Sequence, residues 1–204
     1  MHKYIKAMTG VIAVIFFIGF VGLASALELG DEAPRTDVEM KNVNGEMLSI
    51  NEVAGEKGTL VIFSCNSCPW VKAWEDRIAG IGNTFQEKGI GVIAINSNDP
   101  DRSPEDGYNA MQKRAQEKGF EFPYVVDATS DVARAFDATR TPEAFLFDSE
   151  GKLVYHGTID DNARNPEKVE EEYLKDALQA VVSGEEVPEA KTKALGCTIK
   201  FRDA

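Results

Sequence analysis

Two cysteines that are two residues apart, Cys65 and Cys68, constrain this chain more than any other feature. They directly follow the apolar run over 59–63 and directly precede a helical pattern that begins at Pro69. A helix N-terminus carries partial positive charge and unpaired N–H groups, and both stabilise a thiolate relative to a thiol. The motif therefore predicts a redox dithiol in which an exposed Cys65 attacks and a buried Cys68 resolves the mixed disulfide.

The alternatives for the motif are half of a zinc site or a structural disulfide. Zinc requires four ligands, and only Cys197, His2 and His156 remain as further cysteine or histidine ligands. A disulfide across two intervening residues closes too short a loop to stabilise much chain. The shortage of ligands and the short loop favour redox chemistry, so we expect neither a metal nor any other cofactor.

The N-terminus has the pattern of an export signal over residues 1–26. Lys3 and Lys6 precede the apolar core that opens over 11–18, and Ala24-Ser25-Ala26 is the small-residue pattern that a signal peptidase recognises. The uncharged stretch is also near spanning length, so an uncleaved membrane anchor is the alternative. The protein is therefore expected to be exported, with the periplasm as its location, where disulfides persist.

The charge of the chain excludes one class of partner. Its formal net charge is −12, whereas recognition of nucleic-acid phosphates requires a basic face. The same charge disfavours adsorption to an anionic membrane surface, so contact with a membrane is expected only through an uncleaved N-terminal segment.

Hydrophobic patterning predicts alternating strands and helices. Asn44-Gly45 suits a tight hairpin turn, and residues 59–64 form the first predicted buried strand. The all-apolar run at 90–95 is typical of a parallel strand covered on both faces. A helix from Pro69 to Gly89 connects these two strands into a right-handed βαβ unit. The rest of the pattern predicts a helix over 104–118, a strand over 122–126, a short helix capped by Ser130, a hairpin of strands 144–147 and 153–156, and a helix from Asn165-Pro166 to Gly184. We expect residues 27–204 to form one domain with a C-terminal tail over 185–204.

This order of elements resembles the thioredoxin fold, and Thr141-Pro142 strengthens the resemblance. The pair stands just before the first hairpin strand, where thioredoxin-like proteins carry a cis-proline loop that faces the dithiol. Such a loop presents backbone for pairing with a substrate chain. The resemblance implies that Thr141 and Pro142 bind substrate. Trp70 stands just after the dithiol and is expected to cover the site.

Residues 59–200 are similar to the exported, peroxiredoxin-like branch of the thioredoxin superfamily. The stretches that carry this similarity are 63–71, 94–99, 140–143, 153–157 with 160–162, and 195–200. The similarity implies an α/β thioredoxin fold with an N-terminal β-hairpin, an inserted helix–strand segment and a C-terminal tail. It also implies a thiol–disulfide oxidoreductase whose partners are protein thiols or disulfides and a redox partner protein. Similar proteins often have His where this chain has Ser67, which removes one potential partner of the thiolate.

Two other functions remain open alternatives. A thiol peroxidase would have Thr three residues before the reactive cysteine, where this chain has Ile62, although Arg140 could stabilise a peroxide. A copper-binding chaperone of the same fold would use two cysteines and a distant histidine, and His156 is the only histidine beyond the signal.

Cys197 in the tail is the remaining cysteine. A free thiol, an intermolecular bond and a three-cysteine relay are all open to an odd cysteine in an exported protein. Because Leu195 and Ile199 flank it, we expect the tail to pack on the domain with Cys197 as a buried free thiol.

Overall fold

A computed structural model describes residues 26–203 of the chain. The predicted export signal over 1–26 therefore lies outside the described residues except for Ala26. Among the helices of the described part, none is both long enough and apolar enough to span a membrane.

A seven-stranded mixed sheet forms the centre of the molecule, in the order β2-β1-β5-β4-β3-β7-β8. The β3–β4 and β4–β5 pairs are parallel, and the other neighbouring pairs are antiparallel. The strands are β1 (Met40–Asn42), β2 (Met47–Leu48), β3 (Gly58–Phe63), β4 (Ile90–Asn96), β5 (Tyr124–Val126), β7 (Glu143–Asp148) and β8 (Leu153–Gly157). A separate two-stranded sheet pairs β6 (Arg140–Thr141) with β9 (Cys197–Thr198).

The two central strands are buried along their whole length. Every residue of β3 and β4 is buried, because apolar clusters cover both faces of the sheet. One cluster centres on Trp74 and Tyr155, and the other on Phe63 and Phe136. Continuous apolar runs without alternation are the pattern that such two-sided burial produces.

In the part of the chain that the structure describes, five helices accompany the sheet, together with short 3₁₀ turns at Pro104–Asp106 and Pro166–Lys168. They are α1 (Ile50–Val53), α2 (Pro69–Gln86), α3 (Tyr108–Lys118), α4 (Asp131–Ala135) and α5 (Tyr173–Ser183). α2 follows the dithiol as predicted, with Pro69 at its first position, where a missing N–H is tolerated. Gly89, at φ 91°, takes the left-handed turn that leads directly into β4. The predicted βαβ unit is confirmed.

Three local predictions were wrong. The predicted helix over 104–118 is divided, because Gly107 is extended between the first 3₁₀ turn and α3. The Ser130 hydroxyl donates to Ser97 O instead of capping α4, and the Asp127 carboxylate accepts from Ala133 N in its place. Asn165-Pro166 opens the second 3₁₀ turn, and the last helix begins only at Tyr173.

The C-terminal tail packs on the domain, as predicted. In β9, Thr198 is the partner of Arg140 and Cys197 the partner of Thr141, while the nearby Ile199 is only 4% exposed. Gly196 permits this pairing, because a Cβ atom there would lie 2.2 Å from Thr141 O. Absence of a side chain at Gly196 therefore lets the tail approach the loop beside the dithiol.

Candidate active site

The dithiol lies between the end of β3 and the first turn of α2, and Thr141 contacts both of its sulfurs. Cys65 Sγ is 3.2 Å from Thr141 Oγ1, and the Cys68 thiol donates to Thr141 O at 3.0 Å. The Thr141–Pro142 peptide bond is cis, as predicted. Thr141 and Pro142 are both buried, so the predicted loop does face the dithiol.

Both cysteines are buried, each with 2% of its surface exposed. The prediction of an exposed Cys65 in front of a buried Cys68 is therefore wrong for this state of the protein. The physical reason is non-local: the Thr141 loop lies against both sulfurs. The partly exposed Trp70 also packs on the cysteine cluster, and its ring is 5.8 Å from that of Trp74.

A buried carboxylate holds the loop between the two cysteines, and no sequence pattern pointed to it. Asp106 Oδ1 accepts from the backbone N–H groups of Asn66, at 2.6 Å, and Ser67, at 3.0 Å. Its Oδ2 accepts from the Ser67 hydroxyl at 2.7 Å and from Asn98 Nδ2 at 2.8 Å. These two backbone N–H groups, which could otherwise stabilise a Cys65 thiolate, therefore already donate to the Asp106 carboxylate.

Two further polar side chains complete the network around Asp106. Lys200 Nζ in the tail donates to Ser67 Oγ at 3.2 Å and to Ser103 Oγ at 2.9 Å. The backbone N–H of Lys200 donates to Asn98 Oδ1 at 2.8 Å. The polar stretch after β4 is the sequence feature that could have indicated this network, because the carboxyl ends of parallel strands commonly line binding sites.

The pKa of Cys65 is shifted in the direction opposite to the one expected from its position at a helix N-terminus. The contact with the Cys68 sulfur, burial and the charge of Asp106 together raise the pKa of Cys65. The pKa of Cys68 is lowered, chiefly because Cys65 donates to its sulfur, with a contribution from the backbone N–H of Val71.

The other predicted candidates lie near the dithiol but make different contacts. Arg140 is exposed, and its guanidinium donates to Gly196 O and Thr198 Oγ1, both at 3.3 Å, so it holds β9 in place. Cys197 is partly exposed and packs against the dithiol, so the prediction that it is a buried thiol is wrong. Burial of its sulfur and contact with Cys68 raise the pKa of Cys197 to about 11.

The histidine considered as a copper ligand is engaged elsewhere. His156 Nε2 lies 2.8 Å from Glu143 Oε1, and its ring stacks on Phe145 with 4.3 Å between the ring centroids. Within residues 26–203 the structure contains no group of three or more His, Cys, Asp or Glu side chains that could hold a metal ion.

The fold and this site define a thioredoxin-like protein with a buried dithiol beside a cis-proline loop. Residues 29–156, more than half of the chain, match the AhpC/TSA family, and the protein belongs to that family.

Several known proteins are similar to this chain. The thiol-disulfide oxidoreductase ResA of Bacillus subtilis is 27% identical over 135 residues, which cover 66% of this chain and 69% of ResA. The ResA of Halalkalibacterium halodurans is 24% identical over 139 residues, 68% of this chain and 73% of that protein. An uncharacterised conserved protein from Geobacillus kaustophilus is 37% identical, with a TM-score of 0.81 over 87% of this chain and 94% of its own.

These comparisons confirm two of the sequence predictions. A thioredoxin-like protein solved in its oxidised form, 21% identical with a TM-score of 0.60 over 76% of this chain and 98% of its own, shows the fold. The relatives bear out the predicted enzyme class, a thiol–disulfide oxidoreductase.

Proposed function

We propose that Cys65 and Cys68 are the redox couple of this oxidoreductase, and that it exchanges disulfides with protein substrates outside the cytoplasm. The observation that carries the proposal is that the Cys65 and Cys68 sulfurs both contact Thr141. One residue of a predicted substrate-binding loop contacts the two atoms that must exchange electrons. The names of the ResA relatives support the class of reaction.

In the direction that reduces a substrate, Cys65 loses its proton and the resulting thiolate attacks one sulfur of the substrate disulfide. The other substrate sulfur leaves as a thiolate that takes up this proton. The Cys68 thiolate then attacks Cys65 in the mixed disulfide, which releases the second substrate sulfur and leaves a Cys65–Cys68 disulfide. Two electrons pass from the dithiol to the substrate, and the proton held by Cys65 leaves with the released thiol. The reverse sequence oxidises a substrate dithiol.

The residues around the sulfurs have distinct roles in this proposal. Thr141 and Pro142 hold the substrate chain next to the dithiol, and Trp70 forms the apolar wall beside them. In thiol–disulfide exchange the attacking sulfur must approach in line with the S–S bond that breaks. A substrate must therefore displace some of the side chains that bury Cys65. The chain acts as a single domain over 27–204, exported by its N-terminal segment or anchored through it.

The test is reduction of insulin by the full chain with dithiothreitol as electron source, run beside a peroxide-turnover assay. We expect insulin reduction that Cys65→Ser and Cys68→Ser each abolish, and that Met47→Ser, at an exposed sulfur-bearing residue, leaves unchanged. Peroxide turnover that depends on Cys65 alone, without insulin reduction, would replace the proposal with the peroxidase alternative.

A further inference from the structure

The tail places a third sulfur beside the dithiol. Cys197 packs against the cluster formed by Cys65, Cys68 and Val71, although 129 residues separate it from Cys68 in sequence. Its backbone is paired with that of Thr141, the residue whose carbonyl accepts from the Cys68 thiol at 3.0 Å. Contact with the Cys68 sulfur contributes to the raised pKa of Cys197.

Two features hold Cys197 in this position. Gly196 brings the backbone of β9 against Thr141, since any side chain there would collide with Thr141 O at 2.2 Å. The Arg140 guanidinium donates to Gly196 O and Thr198 Oγ1, on either side of Cys197, both at 3.3 Å.

We propose that Cys197 is a third redox sulfur that exchanges with the Cys65–Cys68 disulfide by attacking Cys68. This inference rests on the proposed function of that dithiol. The Cys197 thiolate bonds to the Cys68 sulfur, the Cys65–Cys68 bond breaks, and Cys65 leaves as a thiolate that takes up the proton lost by Cys197. The exchange moves one disulfide without any net oxidation, so it requires no further oxidant or reductant.

The exchange changes which sulfur a redox partner protein can reach. The free Cys65 and Cys68 are both buried, whereas Cys197 is partly exposed on β9. A Cys68–Cys197 disulfide would therefore have one end on a partly exposed strand. It also frees the Cys65 thiol and links the start of α2 covalently to the tail. A redox partner protein that approaches from the β9 side would meet Cys197 first.

The test uses the full-length Cys65→Ser variant, oxidised with one equivalent of diamide, alkylated and digested with trypsin. Cleavage after Lys57 and Lys72 releases the peptide 58–72 with Cys68, and cleavage after Lys193 and Lys200 releases 194–200 with Cys197. We expect these two peptides to be joined by a disulfide, with loss of both free thiols from the monomer. The matched control is Cys68→Ser, in which Cys65 and Cys197 should join at least about tenfold more slowly. The reason is that the Cys68 thiol is the one that donates to the carbonyl of Thr141, the strand partner of Cys197.

A second variant tests whether the position of Cys197 beside Thr141, rather than general reactivity of its thiol, causes the disulfide to form. Adding Gly196→Ala to the Cys65→Ser variant displaces β9 from Thr141, so the joined peptide should form at least about tenfold more slowly. Adding Gly80→Ala, whose Cβ would meet nothing within 4 Å, should leave that rate unchanged. Tryptophan fluorescence and circular dichroism confirm that each variant is folded.

The outcomes distinguish the two proposals. A folded Cys65→Ser variant that keeps two free thiols, or forms only intermolecular dimers, would overturn the role of Cys197 while wild-type insulin reduction still supports the dithiol. Equal rates in Cys65→Ser and Cys68→Ser would also overturn it. A wild-type protein that reduces no insulin would remove the proposed function, whatever peptides are joined.

Discussion

Asp106→Asn tests whether a buried charge beside the dithiol suppresses ionisation of Cys65. The substitution keeps the shape of the side chain and an oxygen that can accept from Asn66 N, but it removes the negative charge. Loss of that charge favours the thiolate, so the pKa of Cys65 should fall. The variant is made in a Cys68→Ser, Cys197→Ser background, so that Cys65 is the only thiol that titrates.

The size of the expected fall in the pKa of Cys65 follows from the position of the Asp106 carboxylate, which accepts from the N–H of the residue next to Cys65. Two unit charges about 6 Å apart at an effective dielectric constant of about 20 interact by about 2.8 kcal/mol. That energy corresponds to about 2 pKa units, and residual polarity of the amide reduces the expected fall to about 1–2 units. Because nucleophilicity falls with the pKa, the alkylation rate at pH 7 should rise by only about 3- to 12-fold.

The assay is the rate of alkylation by iodoacetamide as a function of pH, from which the midpoint gives the pKa of Cys65. The control is Glu105→Gln, which removes the same charge from the neighbouring residue, an exposed side chain paired with Lys72. Exposed ion pairs are weak and screened by solvent, so in Glu105→Gln the midpoint should shift by less than about 0.5 unit. A midpoint that rises in Asp106→Asn, or falls no further than in Glu105→Gln, would refute the reasoning.

Two further predictions concern the stability of the domain, each measured by urea unfolding. Gly80→Ala should stabilise α2 by about 0.5–1 kcal/mol because its Cβ meets open space, whereas Gly82→Ala should cost about 1–3 kcal/mol because its Cβ would lie 2.3 Å from the Phe122 ring. Equal effects at the two positions would show that helix propensity outweighs packing. Arg77→Met should cost about 3 kcal/mol, since it leaves the carboxylate of Asp160, whose side chain is 5% exposed, without its cation. A loss below about 1 kcal/mol would mean that the remaining donors to Asp160 suffice.

Local patterns predicted the scaffold of the site because the forces that shape it act over short stretches. The apolar runs of β3 and β4 report burial directly, and Pro69 and Gly89 have conformational preferences that mark the ends of the connection. The same reasoning misplaced the start of α5. A proline at the start of a helical pattern cannot reveal whether the turn it opens will continue as a helix.

The sequence therefore predicted a domain with a dithiol at a strand–helix junction, and its resemblance to thioredoxin-like proteins added the fold and the cis-proline loop that faces the dithiol. Only the tertiary structure decided what surrounds the sulfurs. Thr141 and Asp106 reach the dithiol from 73 and 40 residues away, as counted from Cys68 and Asn66 respectively. Such contacts leave no periodic trace in sequence, because they depend on which strand ends and loops the sheet order brings together. The burial of Cys65, the charge beside it and the third sulfur at Cys197 all arise in this way.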